Sequence, residues 1–147
     1  MHSGAFTRSL VKLLDGMAVR LGRMPEQAPH LALGTRGEQE AYFHLRKLGY
    51  VMVARNYRTP LRKSEIDLIG WDGDTLCFIE VKTRTTTEIP AEDAVDAEKR
   101  DDLRAVARDY LHRLRKKPNS RFDIVSVYCE EGKEPSLILF KDAFHLA

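Results

Sequence analysis

Two short apolar runs joined by a turn form the clearest pattern in the chain. Ile66–Trp71 and Thr75–Val81 are rich in β-branched and aromatic residues, and the residues between them read Asp-Gly-Asp. An Asp-Gly pair between two such runs is the strongest short-range signal for a β-hairpin. Both faces of the predicted hairpin are apolar near the turn, which is typical of strands that are covered by helices on both sides.

The acidic residues of this hairpin fall on one face if the turn consists of Asp72-Gly73. Counting outward from that turn places Phe78 opposite Asp67. Because side chains alternate along a strand, one face is expected to carry Glu65, Asp67, Ile69, Trp71, Leu76, Phe78, Glu80 and Lys82. The other face is expected to carry Ile66, Leu68, Cys77, Ile79 and Val81. A regular three-residue loop would instead separate Asp67 and Glu80 onto opposite faces.

The carboxylates and the amine at the open end of the first face have no packing role. Burying like charges together is costly unless a cation neutralises them, and hard cations such as Mg²⁺ prefer carboxylate oxygens. Asp67 and Glu80, as diagonal neighbours, are close enough to share one ion, and Lys82 points to the same place. Such a set can activate water against a phosphodiester. The alternative is a sheet end with solvated surface charges.

The hydrophobic pattern on either side of the hairpin predicts an α/β domain. Gly49 is expected to end the first helix, and Pro118 to end the long helix that follows the hairpin. The predicted elements are a helix at Gly34–Leu48, a strand at Tyr50–Tyr57, the hairpin, a helix at Ala91–Lys116, and strands at Arg121–Tyr128 and Ser136–Phe140.

Two charged residues occupy helix positions at which the pattern favours apolar side chains. Glu38 lies one turn before Ala41 and Tyr42, and it is either a capping partner or part of a polar site. Lys99 lies four residues before Leu103. It either reaches the site or extends its stem along the helix edge. The spacing leaves both pairs of alternatives open.

Basic residues flank the proposed site in the sequence. Arg58 ends the first strand, and Arg62 and Lys63 follow in the next loop. Arg84 shares the face of Lys82 if the strand continues. Such side chains can hold the phosphates of a nucleic-acid backbone. Each loop residue taken singly is better explained as a solvated charge, and Arg58 is the preferred phosphate contact.

The length of the chain suits one domain, and its cysteine content is typical of a cytoplasmic protein. Lys and Arg number 24 against 22 Asp and Glu, and this balance neither requires nor excludes a nucleic-acid partner. Cys77 and Cys129 have no spacing typical of a disulfide framework or a metal site, so reduced thiols are expected. No apolar run is long enough to cross a membrane.

Residues 1–33 are expected to form an N-terminal helical extension and a linker, and residues 34–147 the main domain. Apolar side chains between Phe6 and Leu21 recur at helical spacing, and Pro25 and Pro29 are expected to break the helix. A basic amphipathic helix can lie on a membrane surface or dock a partner. Packing against its own domain is the preferred interpretation.

The hairpin motifs resemble those of a known superfamily. E-I-D-L-I at 65–69 and F-I-E-V-K-T-R at 78–84 are similar to the bipartite motif of the PD-(D/E)xK, or restriction-endonuclease-like, nucleases. More closely, the chain resembles the YraN-like family of small bacterial proteins, which are classed as candidate endonucleases and are similar to archaeal Holliday-junction resolvases. One departure is Ser64, where the family usually has glycine. The resemblance extends from Gly34 to about Phe140 and includes G-T-R-G-E at 34–38, L-G-Y at 48–50, R-N-Y-R at 55–58, Lys99 and R-F-D at 121–123.

This resemblance implies a three-layer core in which helices flank a central mixed β-sheet. It implies Asp67 and Glu80 as metal ligands, with Mg²⁺ or Mn²⁺ as the cofactor. The resemblance also implies Lys82 as the catalytic lysine and Glu38 as an accessory acid, and it supports Lys99 and Arg58 as phosphate contacts. Two further candidates come from the strand pattern, Glu65 as an accessory residue and Arg84 as a phosphate contact.

The activity that the resemblance implies is metal-dependent hydrolysis of phosphodiester bonds. DNA, including branched or junction DNA, is expected ahead of RNA. A junction-cutting role would predict a two-fold homodimer. The alternative is a non-catalytic module that keeps the nuclease fold and binds nucleic acid or a protein partner.

Overall fold

Five strands and two helices make up residues 29–85 and 96–146, which the computed structural model describes. The strands form one sheet in chain order, β1-β2-β3-β4-β5. Only β3 and β4 among them are parallel neighbours, and α2 connects them as a crossover helix. The elements are α1 (Pro29–Lys47), β1 (Val51–Tyr57), β2 (Ile66–Asp72), β3 (Thr75–Arg84), α2 (Ala97–His112), β4 (Asn119–Tyr128) and β5 (Ser136–Phe144).

Each face of the sheet packs against one helix and has its own hydrophobic core. The core on the α2 side contains Ile69, Leu76, Phe78, Leu103, Val106, Leu111, Phe122 and Ile124. The core on the α1 side contains Ala41, Leu45, Leu68, Cys77, Ile79, Val81, Val125 and Val127. This helix–sheet–helix arrangement confirms the α/β prediction and is consistent with a restriction-endonuclease-like core. Neither described helix is both long and apolar enough to cross a membrane.

Both helices begin at places that differ from the sequence prediction. Helix α1 begins at Pro29, five residues before the predicted start at Gly34. Proline suits a first helical turn, since the N–H it lacks would have no helical partner there. Helix α2 begins at Ala97 because Asp96 caps it, accepting a hydrogen bond from the Lys99 amide at 2.8 Å. The helix predicted between Phe6 and Leu21 lies outside the described residues.

The predicted role of Gly49 in ending α1 is confirmed. Gly49 has φ +95° and donates its amide to the Arg46 carbonyl at 3.1 Å. The next amide, of Tyr50, reaches back to the Leu45 carbonyl at 3.0 Å. These two bonds define a Schellman motif, whose left-handed residue is normally glycine. The motif turns the chain directly into β1.

The turn between β2 and β3 lies one residue later than predicted. Asp72 pairs with Thr75, so the turn residues are Gly73-Asp74. Gly73 has φ +59°, and glycine at the first turn position is what a type II′ hairpin requires. Phe78 therefore pairs with Ile69 and not with Asp67. A displacement of two residues in the pairing preserves the face on which each side chain lies.

The alternation of side chains breaks near the start of β2. Ile66 packs in the same core as Ile69, so the prediction that placed Ile66 on the opposite face was wrong. The paired strand has a matching irregularity, since Asn56 adopts φ +49°, an uncommon value for a residue other than glycine. Tyr57, the partner of Ile66, packs against the same core. The irregular step lies at Asn56 and Asp67.

A buried charge network holds the hairpin-turn end of the sheet together. Asp123 is completely buried and accepts hydrogen bonds from the Tyr50 hydroxyl at 3.1 Å, Arg121 Nε at 2.9 Å and the Asp142 amide at 3.0 Å. Arg121 also lies 2.6 Å from Asp72 Oδ2. Asp123 is therefore a structural partner of Arg121.

Asp123→Ala is expected to lower the free energy of unfolding by about 3–5 kcal/mol, because Arg121 loses one of its two carboxylate partners, and the Tyr50 hydroxyl and the Asp142 amide lose their acceptor. Urea denaturation measures the change. The control is Asp101→Ala, because the Asp101 side chain is 77% exposed in its pair with Arg104, and the expected change is within about 0.5 kcal/mol. Equal stability of the two variants would contradict the structural role of Asp123.

Candidate active site

Asp67 replaces a backbone acceptor at the point where β2 leaves β3. The paired residues of the two strands end at Leu68 and Ile79. Beyond them, the Val81 amide donates a hydrogen bond to Asp67 Oδ2 at 2.8 Å. A buried amide without an acceptor would be costly, and this side chain satisfies it. The two strands can therefore separate while the end of the hairpin stays buried.

Three carboxylates from two parts of the chain converge at this separation. Glu38 comes from α1, Glu65 directly precedes β2, and Asp67 lies within β2. Each offers one oxygen, and these three oxygens lie within 4.8 Å of one another. Glu38 and Glu65 are half-buried, whereas Asp67 is buried. A group that offers only oxygen donors matches the preference of a hard divalent cation.

Glu80 lies beside this three-carboxylate group and is bound by lysines. Its Oε1 accepts a hydrogen bond from Lys99 Nζ at 2.6 Å and lies 3.3 Å from Lys82 Nζ. Its Oε2 is buried and has no hydrogen-bond partner among the described residues. An unpaired carboxylate oxygen is costly to bury. This oxygen is therefore available to a ligand.

The electrostatics of the site disfavour so many negative charges. Burial, and then the negative charge of Glu80, raise the pKa of Asp67 to about 8, although the hydrogen bond from Val81 favours the ionised form. Burial also raises the pKa of Glu38, with a further contribution from Glu65. Buried carboxylates that lie close together hold their protons more tightly, and a nearby positive charge would favour their ionised form.

The structure brings the predicted catalytic and metal-binding residues to one place. The group of three differs from the predicted metal pair, since Glu38 and Glu65 join Asp67 while Glu80 lies beside them. The spacing of Glu38 allowed either a cap or a site residue, and its side chain is in the site. The residues concerned are Glu38, Glu65, Asp67, Glu80 and Lys82.

The three predicted phosphate contacts have different surroundings. Lys99 reaches Glu80 from α2, which is one of the two arrangements that its spacing allowed. Arg58 Nε lies 2.5 Å from Glu65 Oε2, and the Arg58 side chain is 72% exposed. Arg84 Nε is buried and has no partner within the described residues. Two of the three cations therefore touch site carboxylates directly.

The family model described as "Uncharacterised protein family UPF0102" matches residues 37–127. A UPF0102 protein of Koribacter versatilis is 53% identical over 143 residues, which cover 97% of this chain and 96% of the relative. The chain belongs to the UPF0102 family. A second UPF0102 protein, of Solibacter usitatus, is 46% identical over 92% of the chain and 100% of the relative. A third, of Desulfitobacterium hafniense, is 39% identical over 73% and 91% respectively.

The UPF0102 match confirms the resemblance to the YraN-like family, and it covers the whole candidate site. The matched region begins at Gly37, directly before Glu38. Gly37 belongs to the G-T-R-G-E motif at 34–38, and a glycine inside a helix can indicate close packing. The matched site residues are Glu38, Arg58, Glu65, Asp67, Glu80, Lys82, Arg84 and Lys99.

Asp67→Asn is expected to make the metal-free protein more stable near pH 7. The amide keeps an acceptor for Val81 but carries no charge. The pKa of Asp67 rises from 3.8 to about 8 on folding, so between these values the folded protein holds a proton that the unfolded chain has lost. Wild-type stability therefore falls as the pH rises through this range.

The advantage of Asp67→Asn should accordingly be smallest near pH 4 and largest near pH 8. Urea denaturation of both proteins in the presence of a chelator, at several pH values, measures this difference in stability. If the variant and the wild type have the same free energy of unfolding at every pH, burial does not disfavour the charge of Asp67.

Proposed function

We propose that this UPF0102 protein is a metal-dependent endonuclease that hydrolyses phosphodiester bonds in DNA. The observation that carries the proposal is the group of Glu38, Glu65 and Asp67, with Glu80 and two lysine amines beside it. Acidic oxygens that can hold a cation, next to amines that can meet a phosphate, form a site suited to phosphodiester hydrolysis.

The donor set fits Mg²⁺ or Mn²⁺. Glu38, Glu65 and Asp67 would hold the ion, and the unpaired Oε2 of Glu80 offers a further oxygen. Carboxylate oxygens alone suit these hard cations, whereas zinc and copper sites usually include imidazole or thiolate. When bound, the ion would supply Lewis-acid activation and a lower pKa for a coordinated water. The raised pKa of Asp67 supports this fit, because a bound cation would favour the ionised carboxylate against the burial and the negative charge of Glu80 that raise the pKa.

The two lysines have different surroundings and suit different tasks. Lys82 lies two residues after Glu80, and its partly exposed amine is 3.3 Å from Glu80 Oε1. From there it can orient the attacking water and stabilise negative charge that develops on the phosphate. Lys99 makes the shorter contact with Glu80, at 2.6 Å, and so fixes the orientation of that carboxylate.

The cationic side chains around the acidic group support the proposal of a polyanionic substrate. Arg58 is largely exposed next to Glu65, where it can meet the backbone of a bound strand. Arg84 follows Lys82 on the same strand face. Contacts of this kind position a nucleic acid without reading its sequence. Cleavage of a four-way junction would in addition require two such sites related by two-fold symmetry.

Wild-type protein is expected to cut labelled DNA in the presence of Mg²⁺ or Mn²⁺, and Lys82→Ala to cut it about 10²–10³-fold more slowly. Loss of one cationic contact removes stabilisation of the transition state and leaves most of the binding surface intact. The measurement compares linear duplex, single-stranded and four-way-junction DNA. Lys47→Ala is the control, because Lys47 is exposed and is the last residue of α1, more than two helical turns from Glu38.

Glu80→Gln should abolish cleavage and retain salt-sensitive DNA binding. Salt-sensitive binding without cleavage by the wild type, with either metal and on every substrate, would replace the nuclease proposal with a non-catalytic nucleic-acid-binding module. Full activity of both Glu80→Gln and Lys82→Ala would show that the chemistry takes place elsewhere.

A further inference from the structure

Helix α1 touches β3 at a residue without a side chain. A Cβ atom built on Gly37 would lie 1.8 Å from Thr83 Oγ1 and 2.9 Å from Thr83 Cβ. Neither separation is compatible with two non-bonded heavy atoms. Any residue larger than glycine at position 37 would therefore push α1 away from β3 or displace Thr83.

The buried stripe of α1 grows in size away from this contact. Gly37, Ala41 and Leu45 are spaced by four residues, so they lie on one face of the helix, and all three are buried. Their side chains increase from a hydrogen atom to a methyl group to an isobutyl group. We infer that the helix lies closest to the sheet at Gly37 and further from it at Leu45.

The facing strand contributes to both sides of the sheet. Glu80 and Lys82 project toward the side of α2, where Lys99 meets Glu80. Val81 packs in the core on the α1 side, and Thr83 continues that alternation to meet Gly37. The strand segment that carries the site carboxylate and lysine is thus also the surface against which α1 rests.

We propose that the contact between Gly37 and Thr83 positions Glu38 in the candidate metal site. Glu38 follows Gly37 directly and is the member of the three-carboxylate group that α1 supplies. Outward movement of α1 would withdraw the Glu38 oxygen, while Glu65 and Asp67 would stay in place. Gly37 and Thr83 are positioning residues and touch neither ion nor substrate. This inference rests on the proposed function, since it concerns the same site.

The test is calorimetric titration of the full chain with Mn²⁺, which needs no cleavage assay. Gly37→Ala is expected to weaken Mn²⁺ binding by about 10–100-fold, the usual loss when support of a ligand is removed. Gly34→Ala is the matched control in the same helix, because a Cβ atom at Gly34 would meet nothing within 4 Å. Its Mn²⁺ affinity should equal that of wild type, and its thermal stability should be slightly higher.

A double-mutant cycle separates positioning from general destabilisation. If Gly37→Ala acts through Glu38, it should cost no further Mn²⁺ affinity when added to Glu38→Gln. Thr83→Ala removes the nearest clashing atom and should restore part of the affinity lost in Gly37→Ala. If Gly37→Ala alone does not fold, the double variant Gly37→Ala/Thr83→Ala takes its place in the cycle. Adding this double variant to Glu38→Gln should then cost no further Mn²⁺ affinity.

Equal Mn²⁺ affinity of Gly37→Ala and Gly34→Ala would overturn the positioning role. Losses that add fully in the cycle would overturn it as well, because Gly37 would then act by a route that does not involve Glu38. A wild-type protein that binds neither Mn²⁺ nor Mg²⁺ would instead overturn the proposed function itself.

Discussion

The candidate site depends on the hydrogen bond from the Val81 amide to the Asp67 carboxylate. Neighbouring strands can separate inside a protein only if the amides left behind find other acceptors. Here the acceptor is itself a site carboxylate, so the separation of β2 from β3 and the burial of Asp67 have one cause. At that separation Glu38 from α1 and Lys99 from α2 reach the same end of the hairpin from opposite layers.

Two buried aspartates in the sheet show how a structural carboxylate and a candidate site carboxylate differ. Asp123 accepts hydrogen bonds from Tyr50, Arg121 and the Asp142 amide, so the chain itself satisfies the charge. Asp67 accepts one bond from a backbone amide, lies among other carboxylates, and has a raised pKa. The first arrangement is complete within the fold. The second would be completed by a cation, which is why we propose chemistry at Asp67.

Local signals predicted most of the elements, because the periods of strands and helices are properties of short segments. The wrong predictions came from sequence features that are compatible with two different structures. Pro29 suggests a helix break in the sequence, although proline also favours a first helical turn. The Asp-Gly-Asp segment allows two turns, and only the pairing of the folded strands selects Gly73-Asp74. The face on which Ile66 lies depends on the backbone of Asn56 in another strand. Lys99 and its partner Glu80 are 19 residues apart, so their contact depends on how α2 packs against the sheet.

The two-residue turn at Gly73-Asp74 also restricts how this protein can vary over evolutionary time. The turn is far from the carboxylates, yet it determines which residues of β2 and β3 share a face. A slip of the pairing by one residue would turn one strand over relative to the other and would exchange Glu80 for a core side chain. A slip by two residues would keep the faces intact. An insertion at the turn is therefore compatible with the site only if the longer loop leaves Asp72 paired with Thr75.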